Sequence, residues 1–322
     1  MSYKRKAVKR VEEIGMNQLS SALIGLNHWW RYLVLFVSSV AVGVLFKVVI
    51  RKIVQLFLII PPNHDGITSN LDLFLAIVPN VACVITLLLL FKPLHRRNYK
   101  LLITGSNSVR WGRFFFAFVL WMGFYGIYLF CDYQLNPTNF TLHFDAKQFI
   151  YLVIISLALI PFQASYEELL MRGYFAQGIG VLTRSRLFVI LIPSIIFGLM
   201  HSFDPDVAKY GFWITMPQLI IYGLMFGLIT VLDDGLELAM GAHAANNIFL
   251  IVFVTSKGSS LLTSSLFIQQ NTNSVKDLYV LIIMAGVFIA ILSYKYQWNY
   301  SILKQKIVPI EEDANAMSGN ER

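Results

Sequence analysis

Long apolar runs separated by short polar connections dominate this chain. The hydrocarbon core of a bilayer takes about 20 mostly apolar residues per helix. On that measure the pattern predicts eight spans, at approximately 32–58, 71–91, 111–131, 149–170, 186–203, 212–232, 237–256 and 277–294. The first run is too long for a simple crossing and carries Lys47, Arg51 and Lys52. It reads either as one tilted helix or as a span with an interfacial extension. The expected fold is therefore all-α, a polytopic membrane helical bundle of about eight transmembrane helices.

Composition supports the same class. Hydrophobic residues make up 57% of the 322 residues and charged residues only 14%, with a mean hydropathy of +0.63. An ordinary soluble enzyme carries about 25% charged residues, so neither that class nor a disordered chain fits. The net charge of +8 follows topology. Lys4, Arg5, Lys6, Lys9 and Arg10 precede the first span; Lys92, Arg96, Arg97, Lys100, Arg110 and Arg113 lie between the second and third; Arg184 and Arg186 lie between the fourth and fifth. The alternate connections 59–70 and 132–148 are poor in Lys and Arg. Basic loops stay in the cytoplasm, which predicts an integral membrane protein with a cytoplasmic N-terminus. The bilayer is the expected partner, and nucleic acid is not, because the basic residues flank spans and form no separate domain. Cys83 and Cys131 both sit in apolar runs and read as buried thiols.

The chain divides into a basic N-terminal segment (1–30), N-terminal spans (31–147), a central region (148–252), a last span region (253–300) and a polar tail (301–322). Ionisable groups at membrane depth are costly and usually line a cavity, pair with one another or do chemistry. The central region holds three such clusters. Glu167 and Glu168 are adjacent, so on a helix they point about 100° apart and need different partners. Glu168 and Arg172 stand at i, i+4 in the favourable order for an ion pair. Glu167 has no such partner and is free to face a cavity. His201 closes Phe197-Gly198-Leu199-Met200-His201, and His243 shares a helix face with Asn247, with Asn246 close by.

Each cluster alone suits a structural role: a helix end, a satisfied core histidine, a small-residue helix contact. Together they make a hydrolytic set. A glutamate can act as general base on water. An imidazole can hold that water, donate to an oxyanion or bind a metal. An asparagine amide can donate to an oxyanion. Counting from the expected turn at 183–185, Glu167 and His201 reach about the same depth, roughly 25 Å. His243 lies only about 12 Å from its turn at 233–235, so either the loops lie at different depths or a helix is broken or tilted.

Glu-Glu-x-x-x-Arg (167–172), Phe-x-x-x-His (197–201) and His-x-x-x-Asn (243–247), in this order on successive apolar helices, resemble the CAAX protease and bacteriocin-processing (CPBP, or Abi) family of intramembrane proteases. The resemblance covers roughly 148–252 and includes Arg172-Gly173 and the Gly-spaced segment 222–227. It implies an endopeptidase acting on a membrane-associated peptide or protein, such as a leader peptide, a bacteriocin or a prenylated C-terminus. Its bacterial branch implies a plasma-membrane location. By resemblance, Glu167 would activate the water, Glu168 would hold Arg172, and His201 would share the water or a metal with Glu167. His243 and Asn247 would form the oxyanion site, with Asn246 an alternative to Asn247. Glu167, His201 and His243 would be the ligands if the cofactor is zinc; no His-Glu-x-x-His favours that version.

Two other readings compete. A non-catalytic immunity factor or scaffold of the same fold predicts that Glu167→Ala leaves the phenotype intact. A proton-coupled transporter would also use buried Glu and His, but the chain shows neither repeat symmetry nor a matched pair of broken spans.

Overall fold

The structure is a computed structural model describing residues 17–57, 69–257 and 263–309. The basic segment 4–10, most of the 59–70 connection and the acidic end of the tail lie outside the described residues.

The first apolar run is one continuous helix, α1 (Trp29–Phe57). The second is a pair, α2 (Asn70–Ile77) and α3 (Pro79–His95), with Pro79 at the helix start, where its missing N–H costs nothing. A single turn, α4 (Lys100–Ile103), leads to α5 (Trp111–Leu135). Helix α6 (Ala146–Glu168) passes through a π-helical stretch, Leu169–Phe175, into α7 (Ala176–Thr183). The chain continues through α8 (Arg186–Met200), the short α9 (Pro205–Tyr210), α10 (Phe212–Asp233), α11 (Glu237–Val252) and α12 (Ser274–Tyr296).

Among the described residues, six helices are long and apolar enough to cross a membrane. The other two expected spans, 186–203 and 237–256, form α8 and α11, of only 15 and 16 residues. Helix α11 packs against α5, α6 and α10 and is buried along nearly its whole length. A helix enclosed by protein has no lipid contact to satisfy and need not match the hydrocarbon thickness. Outward-facing side chains such as Leu45, Ile127, Phe130 and Ile283 are apolar and exposed, as lipid-facing surface requires. The result is a polytopic helical membrane bundle.

The two ends of the bundle are built differently. At one end a small three-stranded sheet, absent from the sequence expectation, joins two connections. Strands β1 (Phe140–Leu142), β2 (Val254–Ser256) and β3 (Phe267–Gln269) run in the order β1-β3-β2. Phe140 faces Gln269 in the antiparallel pair, and Val254 faces Phe267 in the parallel one.

At the opposite end, polar groups lock the α10–α11 turn beneath other segments. Leu236 N–H donates to Ile103 O at 2.7 Å, and Gly105 N–H to Asp234 O at 3.0 Å. Arg110 makes a bidentate pair with Glu237 (Nε–Oε1 3.0 Å, Nη2–Oε2 2.6 Å), and Arg113 pairs with Asp233. Gln18 caps the arrangement from the N-terminal side, its N–H donating to Asp234 Oδ1 at 2.7 Å.

Candidate active site

The geometry begins with the helix phase of α6. The two adjacent glutamates diverge as a 100° step demands. Glu168 is fully buried, and its Oε1 accepts from Arg172 Nη1 at 3.0 Å. Arg172 also donates to Gly223 O at 3.2 Å. Its guanidinium lies 4.6 Å from the Phe197 ring centroid and 5.5 Å from that of Phe226, a cation–π sandwich in a dry interior. The Phe of Phe-x-x-x-His therefore covers the arginine of the first motif. The π-helical stretch, a feature frequent at functional sites, begins directly after Glu168.

Glu167 turns the other way, into a cavity of about 580 Å³. Its Oε1 accepts from Gln163 Nε2 on the preceding helical turn, so Glu167 does have a local partner, contrary to the expectation. Gln163 Oε1 in turn accepts from Asn247 Nδ2 at 2.8 Å. Asn247 Oδ1 accepts from Asn246 Nδ2 at 3.0 Å. Gln163 thus bridges the first and third motifs. Its signal was present in the sequence as a polar residue four positions before Glu167 on an otherwise apolar helix.

His243 stands between the two glutamates. Its Nδ1 donates to Glu168 Oε1 at 2.7 Å, and its Nε2 lies 3.6 Å from Glu167 Oε2. The ring stacks on Phe226 at 5.1 Å between centroids. Glu167, His201 and His243 therefore line one cavity despite their unequal distances from the turns. The turn before α11 is bonded to the 98–110 connection and to Gln18. Gly241 lets α11 press against α5, since a Cβ there would stand 2.1 Å from Phe114 O.

His201 ends α8 and lines the same cavity. Its Nδ1 donates to Phe197 O at 2.8 Å, which leaves Nε2 as the nitrogen available to a ligand. The cavity also holds Tyr125, Tyr222, Tyr128 and Asp277, which the sequence reading did not single out. Tyr128 Oη donates to Asp277 Oδ1 at 2.6 Å.

Glu167, His201 and His243, which all line the cavity, are the residues that would hold a zinc ion. Among the described residues no group of three or more His, Cys, Asp and Glu side chains is placed to hold a metal ion. Both Nδ1 atoms donate to neighbouring oxygens, which leaves each Nε2 free for a ligand, as such bonds do for histidines that hold a metal.

Residues 148–249 match the family model described as "Type II CAAX prenyl endopeptidase Rce1-like", the same segment that carries the three motifs. Over this segment the chain is similar to the CPBP family. The chain is also 29% identical over 252 residues to "Uncharacterized protein YyaK" of Bacillus subtilis (strain 168), covering 76% of this chain and 84% of that protein. No solved structure matches. The match supports a CAAX-type intramembrane protease in general, and the six long apolar helices support an integral membrane location.

Proposed function

We propose that the protein is an endopeptidase that hydrolyses a peptide bond of a membrane-associated peptide or protein inside this cavity. The observation that carries the reading is the 3.6 Å separation of Glu167 Oε2 and His243 Nε2 on the wall of a large intramembrane cavity. In this reading Glu167 takes a proton from water as the water oxygen bonds to the scissile carbonyl carbon. His201 Nε2 helps hold that water. Asn247 Nδ2 donates to the developing oxyanion, and His243 does so through Nε2–H when its ring carries both protons, since Nδ1–H is committed to Glu168. Glu167 then passes its proton to the departing amine as the C–N bond breaks. Glu168 and Arg172 stay out of the chemistry and fix the His243 ring, as a buried carboxylate partner does for an imidazole. A bacterial plasma membrane is the location proposed with this role.

The test is cleavage of a quenched peptide pool by purified protein in proteoliposomes. Wild type should cleave. Glu167→Gln and His201→Ala should lose activity while keeping the wild-type size-exclusion profile. Activity that survives Glu167→Gln refutes the mechanism and shifts weight to a non-catalytic scaffold. A chelator arm bears on metal dependence.

A further inference from the structure

The cavity runs from the middle of the bundle, where Glu167, Phe226 and His243 line it, toward one end. It takes Asp132 from the C-terminal end of α5, Asp204 from the connection after α8, Gln218 and Tyr222 from the first half of α10, and Asp277 from the start of α12. Phe140, Val254 and Gln269, all in the small sheet, complete it. These segments gather at a single end of the bundle because β1 and β2 both pair with β3. Asp204 in the lining is exposed there.

The opposite end is closed by bonded protein. The 98–110 connection and the α10–α11 turn are tied together by the Arg110–Glu237 and Arg113–Asp233 pairs, and Gln18 joins them through Asp234 Oδ1 and Leu102 O. Gln177 Nε2 adds bonds to Leu101 O at 2.7 Å and to Gln18 O at 3.1 Å. No residue of the connection 96–113 or the turn 233–237 lines the cavity among the described residues.

The two ends also differ in charge. The closed end carries Lys92, Arg96, Arg97, Lys100, Arg110 and Arg113 in one connection, Arg184 and Arg186 at the α7–α8 turn, and Lys304 and Lys306 after α12. A bridge between Ser185 and Lys306 places the last two groups side by side. The sheet end carries Lys147, Lys209, Lys257 and Lys276. Lys47, Arg51 and Lys52 in the second half of α1 are the exception to the bias. Basic residues mark the cytoplasmic side of a membrane protein.

From this placement we infer that the cavity opens to the extracytoplasmic side, and that its substrate is an exported peptide or the outward-projecting part of a membrane-bound one. The inference rests on the protease reading for the word substrate, and on geometry and charge for the direction. It sets this chain apart from an enzyme that trims cytosolic prenylated C-termini, because such a terminus would meet the closed end.

Sidedness is testable without activity. Single cysteines are placed in a chain with Cys83 and Cys131 replaced by alanine: Gln269→Cys at the sheet, Met284→Cys on the cavity wall, and Lys100→Cys at the closed end. Each variant is first checked for wild-type size-exclusion behaviour. A charged, membrane-impermeant methanethiosulfonate reagent is then applied to whole spheroplasts and to inverted vesicles. The expected result is labelling of Gln269→Cys and Met284→Cys in spheroplasts with protection in inverted vesicles, and the reverse for Lys100→Cys. Labelling of Met284→Cys from the Lys100 side, from neither side, or an inverted pattern at Gln269→Cys overturns the inference. A quenched peptide presented to each face of oriented proteoliposomes supplies the second arm. Cleavage only from the Lys100 side overturns the substrate assignment. Absence of cleavage from both sides, with the labelling as expected, defeats the protease reading and leaves the direction of the cavity standing.

Discussion

His243 donates through Nδ1 to Glu168 Oε1 at 2.7 Å and so presents Nε2 to Glu167 Oε2 at 3.6 Å. One imidazole thereby separates two adjacent carboxylates into different jobs. Glu167→Gln should lower kcat by about 10²–10⁴, the usual worth of a general base, with stability unchanged. Glu168→Ala should instead destabilise the fold by about 3–5 kcal/mol, because it leaves Arg172 charged and buried without its partner. Denaturant titration in detergent beside steady-state kinetics separates the two; similar stability losses in both variants would contradict this division.

Asn247 lines the cavity with one N–H committed to Gln163, and a second remains for an oxyanion. Asn247→Ala should cost about 10²–10³ in kcat with a smaller change in KM. A change confined to KM would remove Asn247 from the transition state.

Gln163 connects Glu167 and Asn247 through its two amide atoms. Gln163→Leu should lower kcat, and its effect should not add to that of Asn247→Ala. A double-mutant cycle on kcat/KM should return a coupling of about 0.5–3 kcal/mol. Strict additivity would mean that the bridge plays no part in turnover.

Gly241 faces the Phe114 carbonyl, with no room for a Cβ. Gly241→Ala should destabilise by about 1–3 kcal/mol through forced separation of α5 and α11. Gly286→Ala, which meets nothing within 4 Å, serves as the control. Thermal unfolding in detergent should show a lower Tm for the first variant only.

Asp234 caps α10 in the left-handed region (φ 52°, ψ 43°), and burial pushes its carboxyl up from 3.8 to about 7. Between those values the folded chain holds a proton that the unfolded chain has released. The stabilising contribution is fully present below pH 3.8 and is lost as pH rises to about 7. Asn tolerates the left-handed conformation and can still accept the Gln18 N–H. Asp234→Asn should therefore flatten this part of the stability profile, measured by denaturant titration across that pH range; an unchanged slope would assign the effect to other groups.

Much of this protein was determined by its sequence alone. Apolar runs of bilayer length dictate helices, because an unpaired backbone group in hydrocarbon costs too much for any open structure. The three polar motifs stand out for the same reason: Glu167, His201 and His243 lie in stretches where solvation is poor. The i, i+4 spacing of Glu168 and Arg172 sufficed to pair them. Tertiary structure decided the rest, since it depends on contacts between residues far apart in the chain. The position of the 233–236 turn, from which α11 starts toward His243, is fixed by bonds to Arg110, Ile103 and Gln18. Gln163 looked like one more polar residue until α11 brought Asn247 against it. The short length of α11 became intelligible only once α5, α6 and α10 enclosed it. The side on which the cavity opens follows from pairings as distant as Phe140 with Gln269 and Arg110 with Glu237, and local periodicity carries no record of either.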